Sequence, residues 1–316
     1  MNFFKSNPQV LIYLSGSEPP RPRRNVRQHG ADPIEMQLFA GGDLVSGSVE
    51  ISAPPGKKVE YKGIKLEFLG QVELPDRGGN HCFLASARVL EAAQGIMTSS
   101  KTYPFEFNNE KIHDSYAGLN VRLRYFLRVV IERPYAMPYI KELDIAVENS
   151  QQSLVELQND KPSKPIKLEV GIEECLHIEF EYDRGRYHLD DVILGKIFFL
   201  LVRIKIKYME LAVIRRESCG APGTNGVAYN DSENIIRYEL MDGAPIKGEC
   251  VPIRLFLGPL ALTPTYRSIA NMFSVKYFLN LVLIDEEDRR YFKQQEVQLW
   301  RKSPEVETST TGLGTF

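Results

Sequence analysis

Two stretches of this chain follow one pattern. Asp43-Leu-Val-Ser-Gly47-Ser-Val49 returns as Asp191-Val-Ile-Leu-Gly195-Lys-Ile197. At the same offset Tyr103-Pro-Phe-Glu-Phe107 returns as Val251-Pro-Ile-Arg-Leu255. After a small insertion, Arg124-Tyr-Phe-Leu-Arg-Val-Val130 returns as Lys276-Tyr-Phe-Leu-Asn-Leu-Val282. Three landmarks in one order indicate a single structural plan used twice. A chain of 316 residues divides naturally into two such units.

The local pattern names the plan. Leu176, Ile178, Phe180 and Tyr182 alternate with His177, Glu179 and Glu181, a period of two that marks a half-buried strand. The same alternation runs through Ile64–Phe68 and Val202–Lys207. Turn residues recur at Gly41-Gly42, Pro54-Pro-Gly56, Arg77-Gly-Gly-Asn80 and Asp242-Gly243. Short alternating strands so punctuated predict an all-β chain of two tandem β-sandwich domains. Ala85 to Gln94 is the best candidate for a helical turn. The sandwiches are expected at 1–153 and 166–302, with a polar, proline-bearing linker at 154–165 and a disordered tail at 303–316. Gly47 and Gly195 predict bulges or close backbone approach, and Pro104 and Pro252 predict strand starts or edges. The two Tyr-Phe-Leu runs predict large inward side chains. Arg215 to Asn234 reads as a long loop.

Composition excludes several roles. A net charge of −2 gives no overall field towards nucleic acid or anionic lipid. Cys82, Cys175, Cys219 and Cys250 are scattered without a CxxC pair, the usage of free thiols in a reducing compartment. Val10–Leu14 is too short for a secretory core, and Phe198–Val202 is far short of a span. A cytosolic protein is therefore expected. No nucleophile elbow, phosphate loop or zinc-protease motif is present, and no catalytic residue is assigned. His177 shares a face with Cys175, and His188 follows, but nothing nearby in sequence completes a ligand set, so neither metal nor cofactor is expected. Gly41-Gly42 and Gly78-Gly79 read as hairpin glycines, and Asp285–Asp288 as a solvated hairpin tip. Arg21–Arg27 reads as a solvated loop, with contact to acidic lipid headgroups as the alternative.

One segment departs from sandwich logic. Leu240 and Met241 stand directly before the Asp242-Gly243 turn, where apolar side chains are unfavourable in water unless covered. A docked partner would cover them, and methionine suits such a surface. Inward packing on the adjacent long loop would cover them equally well.

These residues also carry a resemblance. Glu169–Tyr182, Tyr187–Ile197, Phe199–Lys205, Tyr238–Pro245, Ile253–Leu257 and Asp285–Glu296 resemble signatures of the retromer arrestin-like subunit, the vacuolar protein sorting 26 family. Val45–Gly47, Pro55–Lys57 and Asn120–Leu127 extend the similarity into the first half, so that it covers roughly residues 36 to 302. The resemblance implies an arrestin-like fold without enzymatic activity, at the cytosolic face of endosomes. It implies direct assembly with retromer's helical-solenoid subunit through Leu240, Met241, Asp242 and Gly243, and through the solenoid with the phosphoesterase-fold subunit. It further implies capture of cargo tails, with a phosphoinositide-binding sorting nexin, at a seam marked by Val170 and Phe292. Animal members carry an acidic residue where Gly41 stands, which argues against docking of a PDZ-containing sorting nexin here. A stand-alone adaptor that recruits a ubiquitin ligase would need Pro-Pro-x-Tyr, and neither Pro19-Pro20 nor Pro54-Pro55 is followed by tyrosine.

Overall fold

A computed structural model describes residues 7–15, 22–28, 31–74, 79–108, 113–149, 165–172, 174–220 and 229–301. Every regular element among them is a strand. The first half places β1 (Gln9–Leu14), β4 (Leu44–Ser52) and β9 (Lys101–Asn108) in a small sheet of that composition. Its second sheet runs β2 (Arg23–Gln28), β3 (Ala31–Ala40), β12 (Tyr139–Glu148), β11 (Arg122–Glu132), β6 (Gly63–Leu74), β7 (Gly79–Glu91), with β10 (Tyr116–Ala117) on β11. A short ribbon joins β5 (Val59–Tyr61) to β8 (Gly95–Met97).

The second half repeats the design. One sheet runs β13 (Ile166–Ile172), β14 (Leu176–Tyr182), β16 (Val192–Val202), β19 (Cys250–Phe256). The other runs β15 (Arg186–His188), β22 (Arg290–Trp300), β21 (Phe273–Asp285), β17 (Ile206–Cys219), β18 (Tyr229–Asp242), with β20 (Tyr266–Ile269) on β21. Alternate side chains of each sheet pair point inward, as in β14, where Leu176, Ile178, Phe180 and Tyr182 are all buried. The expected linker lies almost wholly outside the described residues, and the expected tail lies entirely outside them.

The repeated landmarks fall on equivalent strands. Gly47 is in β4 and Gly195 in β16, each the middle strand of its smaller sheet's repeated pair. A Cβ at Gly47 would lie 2.0 Å from the Tyr13 carbonyl oxygen, and one at Gly195 2.7 Å from that of Glu181, so both positions exclude a side chain. Pro104 and Pro252 occupy β9 and β19, sheet edges where a missing N–H can face away from the ladder. The Tyr-Phe-Leu runs need correction. Only their first and third members, Tyr125 and Leu127, and Tyr277 and Leu279, face the sandwich cores; Phe126 is fully buried as well, but on the opposite face of its sheet. Period two turns the central phenylalanine to the outer face, where Arg124 covers Phe126 at 4.0 Å and Arg216 covers Phe278 at 4.3 Å.

Four local expectations also change. Ala85–Glu91 is strand, paired with β6 from Leu69 to Ile64; bulges along that ladder break the alternation that would have identified it. Gly41-Gly42 closes no hairpin, because β3 and β4 lie in different sheets and the turn carries the chain between them. Most of Arg215–Asn234 is strand: Arg215–Cys219 pairs with Tyr229–Glu233 despite its polar composition. Arg23–Gln28 is likewise a strand on β3 rather than a loop, with Arg23 ion-paired to Glu35 at 2.9 Å.

The halves are joined by buried polar groups. Glu217 of β17 is 1% exposed. Its carboxylate accepts the Tyr116 hydroxyl, the Leu119 N–H at 2.9 Å and the Asn120 N–H at 3.0 Å, all from the first half. Beside it, Tyr116 packs on Tyr266 and Phe273 with ring centres 5.4 and 5.9 Å apart. A second tie runs from Arg301 to Asp114 at 3.0 Å and to Glu148 at 3.3 Å. Replacing Glu217 by leucine strands three donors in a dry junction, at a cost of roughly 3 kcal/mol or more. Removing the exposed Asn120–Asp231 hydrogen bond of 2.6 Å with Asn120→Ala costs about 1 kcal/mol or less. Urea denaturation of the two variants checks the ranking, and hydrogen exchange should rise over residues 115–121 in Glu217→Leu alone.

Candidate docking surfaces

The segment Tyr238–Gly243 closes β18 at the edge of the six-stranded sheet. Met241 faces Met209 and Glu239 faces Glu210, which leaves Leu240 as the extra residue of a bulge. Leu240 and Met241 are half-buried against the core margin. The described residues of Arg215–Asn234 lie at the opposite end of the β17–β18 ladder, away from Leu240 and Met241, and residues 221–228 between them are outside the described residues. Asp242 is exposed opposite Tyr208. Gly243 adopts φ 105°, a region that favours glycine, and its N–H donates to the Lys207 carbonyl at 2.8 Å.

The following turn is stitched to the other sheet. Gly248 N–H donates to the Phe199 carbonyl at 2.7 Å, and Phe199 N–H donates to that of Glu249 at 3.0 Å. This holds Ile246 with 73% of its surface exposed, while Tyr238 on β18 is 46% exposed. Reading the sequence missed both residues. The signal for Ile246 was an isolated large aliphatic between Pro245 and Lys247. Half-buried Leu240 and Met241, bracketed in sequence by these two exposed side chains, make this end of β18 an apolar shelf at a sheet margin.

Val170 and Phe292 lie elsewhere. Val170 is half-buried on β13 opposite Ile178, and Phe292 on β22 is 66% exposed opposite Val282. Among the described residues β13 pairs only with β14, and β22 gains its second neighbour only from Gln298 onward. The two strands touch, so open edges of both C-terminal sheets run beside each other. Strand order β22-β21-β17-β18 puts this seam on the opposite margin from the Leu240 shelf. The fold therefore makes two surfaces, not one.

The acidic hairpin ties one end of the seam strand to the shelf. Asp285 is 2% exposed rather than solvated. It accepts from the Glu287 N–H at 3.0 Å, the Arg289 N–H at 2.9 Å and Nε at 2.7 Å, and the Tyr291 hydroxyl at 2.9 Å. Removal from water raises its pKa, but these donors together outweigh that and hold the carboxyl below the usual range. Lys207, whose carbonyl holds Gly243, also pairs with Asp288 at 3.1 Å. A third constellation was not visible in sequence: Glu169 and Glu179 join His177 on one sheet face, whereas Cys175 lies outside the strand in the preceding turn.

Two tandem β-sandwiches of this topology define an arrestin-like protein. The family model for vacuolar protein sorting-associated protein 26 matches residues 4–288, and the chain belongs to that family. It is 49% identical to vacuolar protein sorting-associated protein 26 of Dictyostelium discoideum over 96% of this chain and 85% of that protein. The Drosophila melanogaster protein of that name is 51% identical over 96% of this chain, which spans 62% of the fly protein's length. Vacuolar protein sorting-associated protein 26B of Mus musculus is 50% identical over 97% and 88%. The family places the chain in vacuolar protein sorting. No helix among the described residues is long and apolar enough to cross a membrane.

A pH dependence follows from Asp285. A carboxyl depressed in the folded state contributes stability above its unfolded pKa of about 3.9, and that contribution falls away as pH drops through the folded value. Protection factors of the Glu287 and Arg289 amides, relative to intrinsic exchange at each pH, should fall on acidification below about pH 4, and Asp285→Asn should remove that acid dependence.

Proposed function

We propose that the chain is a non-enzymatic subunit of the retromer cargo-sorting complex, bridging the solenoid subunit, a sorting nexin and cargo tails. The observation that carries this is the bulged, half-buried Leu240–Met241 pair closing on Asp242-Gly243 at a free sheet margin. This shelf is the surface we assign to the solenoid subunit, through which the phosphoesterase-fold subunit joins. Membership of a sorting family supports the non-enzymatic reading. The open edges of β13 and β22 suit an extended cargo tail added as a strand, with Val170 and Phe292 as side-chain contacts beside a phosphoinositide-binding sorting nexin. The chain then works in the cytosol and on the cytosolic face of endosomes, recruited through its partners. It serves retrieval of transmembrane proteins to the Golgi or plasma membrane.

Size-exclusion chromatography with the purified solenoid subunit tests the shelf. Leu240→Asp with Met241→Asn should abolish co-elution, since central contacts cost about 2 kcal/mol or more each. Because both side chains touch the core, Ile246→Asp serves as the fold-neutral companion and should weaken the complex measurably. Full co-elution of both folded variants rejects the assignment.

The seam gives a separable result. Phe292→Asp should cut capture of a cargo tail in the presence of the sorting nexin by about tenfold, roughly 1.4 kcal/mol. It should leave solenoid binding unchanged, because the two surfaces lie on opposite sheet margins. Loss of both activities together would show that the surfaces are not independent.

A further inference from the structure

The outer face of β13 and β14 carries an arrangement that docking does not explain. Glu169 stands directly opposite Glu179, and the next rung on the same face sets Gly171 opposite His177. Like charges facing each other across an antiparallel pair are destabilising. The adjoining rung shows the usual remedy, Lys167 opposite Glu181 with an ion pair at 3.5 Å. Among the described residues neither the Glu169 nor the Glu179 side chain makes an ion pair or a hydrogen bond. The imidazole of His177 points to the same face, because residues two apart on a strand share a side. Glycine opposite it leaves the ring's approach to Glu169 clear of a side chain. A bulge between His177 and Ile178 on the β16 side interrupts the ladder at this position, and bulges re-aim side chains.

One ligand atom from each residue lies within 4.8 Å of those of the other two. Ligands about 2.0–2.2 Å from a tetrahedral zinc ion stand about 3.3–3.6 Å apart. Rotation about the glutamate side-chain bonds closes that difference without moving the backbone. We infer that Glu169, His177 and Glu179 form a binding site for a divalent transition-metal ion of the zinc class, with water in the remaining position. An imidazole beside two carboxylates favours zinc over calcium or magnesium, which take oxygen ligands. The ion neutralises the opposed carboxylates and clasps β13, an edge strand, to β14. Val170 lies between Glu169 and Gly171 on that strand, so the clasp also fixes the strand that borders the seam.

Calorimetric titration of the tag-free, chelator-stripped full chain with zinc tests the site. One ion should bind per chain in the micromolar range, and the melting temperature should rise with the logarithm of free zinc. Loss even of an outer-shell partner weakens metal sites 10–100-fold. Glu169→Gln, His177→Gln and Glu179→Gln should therefore each weaken binding by at least about tenfold. Glu169 is exposed and His177 and Glu179 are half-buried on the outer sheet face, so the metal-free melting temperatures should be little changed or, for the glutamate changes, slightly higher. Stoichiometric zinc should also shift the His177 imidazole resonances, a response magnesium should not produce. Zinc binding undiminished in the His177→Gln, Glu179→Gln double variant overturns the inference. So does equal, His177-independent binding of magnesium and zinc, which would mark an acidic surface only.

Discussion

The arrangement of the two halves depends on a carboxylate that has left water. Glu217 is buried in the second half, and its lone pairs are used by a hydroxyl and two backbone N–H groups of the first. A buried charge without partners is costly, so the first half must present Tyr116, Leu119 and Asn120 in that geometry. Arg215 reinforces the arrangement, lying 5.5 Å over the Tyr116 ring. Hydrophobic contact alone tolerates sliding, whereas three directed hydrogen bonds and the Arg301–Asp114 pair do not. The junction thus fixes orientation as well as association.

The surfaces follow from topology. Among the described residues each C-terminal sheet has an open edge, along β13 in one and along β22 before Gln298 in the other, while β18 closes the far margin with a bulge. Edges are usually blunted by charge, bulges or cover. Here Glu169 and Lys167 decorate β13, and Arg290 and Lys293 are exposed on β22. These charges discourage indiscriminate pairing along both margins.

Much of this was legible in sequence. Period-two alternation and three repeated landmarks identified tandem sandwiches, because burial on one face of a strand leaves a direct trace in residue order. Long-range pairing leaves none. That Glu169 faces Glu179 depends on the register of β13 against β14, and that Glu217 meets Leu119 depends on how two domains dock. Edge strands were the hardest to read: Ala85–Glu91 has little one-sided burial, and the polar, arginine-rich Arg23–Gln28 shows no apolar alternation, so polarity masqueraded as loop or helix. Leu240 was conspicuous because apolar residues beside Asp-Gly violate local expectation, yet the bulge that explains its pose is a property of the ladder.

Strand β22 begins at the Asp285 hairpin, passes Phe292, and leads into Arg301 at the junction. Its eleven residues span about 35 Å, and a paired strand is stiff along its axis. Lys207 links the hairpin tip to the Gly243 turn. A pull applied at that turn therefore enters the sheet as shear, shared in parallel by the ladders of β17, β21 and β22 rather than peeling one bond at a time. Mechanically the C-terminal sheet is a tie-bar, with one end at the Leu240 shelf and the other anchored in the first half.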